Sequence, residues 1–206
     1  MRLVAVPAVL TLVVSVLRLV GELEGWAPGY FGTEAGGGAS PVGISWLIPV
    51  FGLWFGLRLA RNGHWPRSVQ RAIVMPLVLT ALCIGLAIVN VKVRELPMDQ
   101  VFLYSFVSWP VAMLLSVVAW PRLWRVLLLY AFLARLPVVV ITFVAVHYGW
   151  GTHYEKTAPG TPEYVGMEKA LALSAAQVLI WIPLTVLGGG VAGAIGAGLF
   201  GGRRAT

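Results

Sequence analysis

"LLLYAFLARLPVVVITFVAV", residues 127–146, is apolar along nearly its whole length except at Arg135. About 20 such residues cross the roughly 30 Å hydrocarbon layer of a bilayer, so the stretch reads as a membrane span with a cation near its middle. Five further blocks have the same character: 3–20, 44–60, 72–91, 101–120 and 171–200, with this one extending over 126–146. The chain is 59% hydrophobic and 11% charged, against the roughly 25% charge of an ordinary soluble domain. The expected fold is all-α: a polytopic integral membrane protein with six transmembrane helices in one compact bundle, residues 1–206 forming a single domain.

The first block has no small-x-small cleavage site before "RLVGELEG" and is read as an uncleaved helix rather than a signal peptide. Charge then sets the orientation. With the amino terminus in the cytoplasm, Arg2, Arg58, Arg61, Arg67, Arg71, Arg122, Arg125, Arg203 and Arg204 lie inside, in segments without an acid. All eight acids (Glu22, Glu24, Glu34, Glu95, Asp99, Glu155, Glu163, Glu168) and the three lysines lie outside. That is the positive-inside pattern, and it places both termini in the cytoplasm of a cell whose plasma membrane, here a bacterial inner membrane, holds the chain. The pI near 10 is explained by this topogenic asymmetry and implies no nucleic-acid partner. Cys83 is alone and within a span, which excludes an intramolecular disulfide.

Two outer loops are long: 21–43, glycine-rich and acidic, and 147–170, with aromatics, glycine, proline and two histidines. Trp-Pro-Arg occurs at 65–67 and at 120–122, each time at an inner boundary. A duplicated hairpin explains that, and so does the same interface chemistry met twice, because proline suits a first helical turn and tryptophan the headgroup layer. Every span contains a proline, and those at 49, 76, 110, 137 and 183 are expected to free the carbonyls of Ser45, Ala72, Phe106, Leu133 and Leu179. Small residues at Gly189, Gly193, Ala197 and Gly201 recur at four-residue spacing, a pattern for close helix packing within the fold or against a partner.

Arg135 is the residue that needs an explanation. An unpaired arginine at mid-bilayer costs about 3 kcal/mol on insertion scales, and no acid lies in any of the six blocks. Counting depth along the spans brings Trp109, Trp181, Ser108, Gln177 and Thr80 to its level. Three readings are open: a structural arginine bonded to proline-freed carbonyls, a site for a small anionic or aromatic ligand, or a contact with an acid on a partner subunit. Arg18 lies four residues before Glu22 and reads as a helical pair or a snorkelling side chain.

No reacting set of nucleophile and base, P-loop, dinucleotide fingerprint or paired intramembrane carboxylate is present. His147, His153 and Glu155 are the weak metal candidates, at a spacing that fits no standard helical ligand pair. No cofactor is implied. In topology and size alone, the six-span plan is similar to the substrate-binding subunits of vitamin importers; no motif carries that likeness. The expected function is a non-enzymatic small-solute-binding or transport module with a midplane site around Arg135. The alternatives are an accessory or scaffold subunit, homo-oligomeric or with membrane-protein partners, and an intramembrane enzyme.

Overall fold

The computed structural model describes residues 2–35 and 40–201. The glycine run at 36–39 and the terminal Arg203 and Arg204 lie outside the described residues. Among the described residues seven α-helices make up the fold: α1 (Arg2–Leu23), α2 (Leu47–Arg61), α3 (Val69–Lys92), α4 (Met98–Leu115), α5 (Pro121–Tyr148), α6 (Gly166–Ala176) and α7 (Ile182–Phe200). A π-helical turn, Gln177–Trp181, joins α6 to α7 in one rod. Among the described residues there is no strand.

Among the described residues five helical stretches are long and apolar enough to cross a membrane: Leu3–Leu23, Val69–Lys92, Met98–Val118, Pro121–Tyr148 and Gly166–Phe200. The architecture is that of a helical membrane protein. The expected second span, 44–60, takes a different form. Residues 40–46 are turns, and the helix begins only at Leu47. Its fifteen residues reach roughly 22 Å at 1.5 Å per residue, short of the bilayer core. Pro49 sits in the first turn, where its missing amide costs no helical bond, so it frees no carbonyl at Ser45.

The short helix is held by packing. α2 buries Leu47, Phe51, Gly52, Phe55, Gly56 and Ala60 on one face, mainly against α7. Gly52 and Gly56 meet Gly189 and Gly193 so closely that a Cβ on either α2 glycine would run into the α7 backbone. The small residues of α7 therefore pack inside the chain, with Ala197 fully buried and Gly201 beside Trp65 and Ala60. α3, α4 and α5 also pack on α7, and α1 lies against α5.

Core aromatics tie three helices together. Phe51 and Phe55 meet the Tyr130 ring edge-on at 5.4 and 5.5 Å. The Tyr130 hydroxyl lies 2.9 Å from Thr11 Oγ1, which donates to the Pro7 carbonyl at 2.8 Å. Tyr130 is then the donor to Thr11, and the group is fully satisfied.

α5 opens at Pro121 directly after Trp120, whereas Pro66 precedes the Ser68 cap of α3. The two Trp-Pro-Arg segments thus occupy different positions relative to their helices. α5 ends at Gly149, whose φ of 63° lets its amide return to the Ala145 carbonyl at 2.8 Å.

Candidate functional site

A cavity of about 350 Å³ lies between the carboxyl-terminal half of α1, the middle and end of α5, and the α6–π segment. Its floor is Arg135, which stands halfway along the 28-residue α5 and is only 5% exposed. Ala131 and Thr142, on the same face of α5, are buried with it. His153, Tyr154, the exposed Lys156 and Ala158 of the 149–165 loop also line it.

Two of the residues expected around Arg135 are there. Its Nη1 donates to Gln177 Oε1 at 3.2 Å, and its Cζ sits 4.7 Å from the Trp181 ring centroid. Both partners belong to the π-helical turn. A π-turn carries an extra residue and so rotates its side chains relative to a regular helix; such turns recur at functional sites. Here the turn ends two residues before Pro183, where a regular ladder is broken anyway. The guanidinium thus gains a cation–π contact of about 1 kcal/mol and one neutral acceptor. Its Nε is buried without a partner. Among the described residues no proline-freed carbonyl accepts a hydrogen bond from it.

The other three residues at the same depth face elsewhere. Trp109 packs with Cys83, Ala112 and Leu187 in a separate cluster where α3, α4 and α7 meet. Thr80 donates to the Pro76 carbonyl of its own helix at 2.8 Å. The Ser108 carbonyl takes the Cys83 thiol at 3.6 Å, and the residue does not line the cavity. Trp109 thus packs toward α7 rather than Arg135.

A second cation faces the cavity from α1. Arg18 Nε donates to Glu22 Oε1 at 2.8 Å, with both residues buried. His153 joins them across the chain: its amide donates to Glu22 Oε2 at 2.9 Å, and its Nδ1 lies 2.5 Å from Oε1. Burial holds the His153 imidazole below its ordinary pKa, and the Arg18 charge adds to that, against the pull of Glu22. Next to it, Tyr154 donates to the Ser15 carbonyl at 3.3 Å. Its phenol is pushed up by burial. These bonds fasten the 149–158 segment onto α1 and over the cavity.

The helical pair of Arg18 with Glu22 is present, but the snorkelling alternative is not, since both side chains are buried. The signal available was the i,i+4 spacing to Glu22; its connection to a loop 131 positions away was not visible.

His147 is exposed and meets the Tyr148 ring edge-on. Among the described residues no three His, Cys, Asp or Glu side chains converge as a metal site. Ser15 and His153 both line the cavity, but the Ser15 hydroxyl donates to the Thr11 carbonyl at 3.0 Å and His153 Nδ1 faces Glu22.

Among the described residues no acidic side chain lines the cavity, while Arg18, Arg135, His153 and Lys156 do. Arg18 is balanced by Glu22, which leaves the positive field to Arg135 and Lys156. Chemically, the arrangement can receive an anion or a hydrogen-bond acceptor. No protein-family model, curated protein or solved structure matches the chain.

Proposed function

We propose that the chain is a non-enzymatic, multi-pass membrane module that binds a small solute, of transport type, at a site around Arg135. One observation carries this: a buried arginine without a counter-charge among the described residues lines a cavity of about 350 Å³. That volume falls in the range of pockets that hold small ligands, roughly 300–1,000 Å³. In this reading the arginine-rich helix ends face the cytoplasm of a bacterial inner membrane and the 149–165 loop covers an outward mouth. Both termini are then cytoplasmic and α2 completes the bundle as a sixth, short segment.

The accessory-subunit reading draws on the outer face of α1, where Val6, Val9 and Val13 are each more than half exposed. Lipid covers such a face as well as a partner helix does.

Native mass spectrometry after mild detergent extraction separates the two. A binding module releases a bound mass of a few hundred daltons, and Arg135→Leu releases none while remaining folded. A protein partner on every particle, with nothing bound in the bundle, would favour the accessory subunit instead.

A further inference from the structure

The chemistry of the Arg135 site is narrower than its charge. The guanidinium has three ways to bind: its face, its Nη1 and its side edge. The face is covered by Trp181 and Nη1 is engaged by Gln177, whereas Nε on the side edge is buried and unpartnered. Among the described residues no hydrogen bond from Nη2 is present either. Nε and Nη2 together form a rigid two-pronged edge that matches the two coplanar oxygens of a carboxylate. Among the described residues no carboxylate pairs with Arg135; Glu22, the carboxylate bonded to two of the wall residues, is held by Arg18 and His153.

Ser15, Thr142 and Lys156 add polar groups to the lining, but much of the rest is apolar. Phe102, Val138, Leu173, Ile180 and Trp181 give it an apolar wall. A phosphate or sulfate would set two oxygens on the Arg135 edge and leave the others against that wall, and a buried polar group without a partner is costly. A smaller hollow of about 120 Å³ lies alongside, sharing Phe102, Leu173 and Ala176. Its lining is aromatic and aliphatic, except for polar groups that include Asp99. A second negative charge at that end would face Asp99, whereas an apolar body would meet Phe102 and Phe106.

We propose that the cavity takes a small organic monocarboxylate, its carboxylate on the Nε–Nη2 edge of Arg135 and its apolar body toward Phe102. This rests on the solute-binding reading above and names the ligand class. The acid has two possible sources, the aqueous phase or the membrane as a short fatty acid.

The test is calorimetric titration of the purified full chain, in detergent and in nanodiscs, with benzoate, octanoate, benzamide and inorganic phosphate. Wild type is expected to bind a carboxylate at least tenfold more tightly than benzamide or phosphate. Arg135→Lys keeps the charge without the two-pronged edge and is expected to lose tenfold or more. Arg122→Gln, at the opposite end of α5, should bind as wild type does. Benzoate binding more tightly than octanoate assigns an aqueous acid, and the reverse order in nanodiscs assigns a membrane-borne one.

Equal binding of benzamide, tighter binding of phosphate, binding of none of the probes, or full affinity in Arg135→Lys overturns the proposal. If carboxylates fail while native mass spectrometry still finds an Arg135-dependent bound mass, only the ligand class is wrong. An empty bundle removes the binding-module reading too.

Discussion

At the scale of single residues, Arg135 is defined by what it lacks. Gln177 and Trp181 give it one neutral acceptor and one aromatic face, together about 2 kcal/mol, against about 3 kcal/mol for the unpaired charge in the bilayer. Arg135→Leu removes all three contributions, so the variant should be folded and about 1 kcal/mol more stable, with binding lost. A drop in melting temperature would make the arginine a structural lock instead.

His153 makes the second prediction at this scale. Its pKa is held below the ordinary histidine value near 6.5, so a released 149–158 segment takes up a proton before the fastened one does. Below that value the open form binds more protons, and the closed form loses stability as pH falls. Hydrogen exchange at the amides of 152–156 should therefore speed up between about pH 6.5 and 5.5 relative to the rest of the chain. His153→Gln should abolish that acceleration; an unchanged profile would contradict it.

Depth along a span was legible in the sequence, but rotation about a span was not. Counting residues brought Gln177, Trp181, Trp109, Ser108 and Thr80 to the level of Arg135, and only the first two turn toward it. The π-turn at 177–181 fixes that rotation, and nothing in hydropathy announces it.

At the scale of elements, α2 and α7 depend on backbone contact. The spacing of Gly189 and Gly193 pointed to close packing, while the matching pair Gly52 and Gly56 lay unread in "GLWFG", masked by large apolar neighbours. Gly56→Ala should destabilise the protein by about 2–3 kcal/mol, because its Cβ would meet the Gly193 backbone and neither helix can yield cheaply. Gly85→Ala in α3 is the contrasting case. A Cβ there meets nothing within 4 Å, so it should be neutral or slightly stabilising through helix propensity. Thermal unfolding of both variants in one detergent checks the pair. The shortness of α2 was illegible for a related reason: hydropathy continues through Ile44 and Trp46, and turn geometry alone sets the helix start at Leu47.

At the scale of the whole molecule, the proposed orientation rests on the one-sided distribution of arginines and acids. Reporter fusions at Gly63 and Gly160 should report opposite sides of the membrane, with Gly63 cytoplasmic; both on one side would break the topology. The central claim is that Arg135, its Nε without a partner in the chain, lines a cavity that takes an external carboxylate on the Nε–Nη2 edge. An experimental density map of the purified protein with benzoate tests it most directly. The account predicts flat, two-pronged density against that edge, with no protein atom between. A carbonyl or carboxylate of the chain on that edge, with the cavity closed over it, would contradict the account.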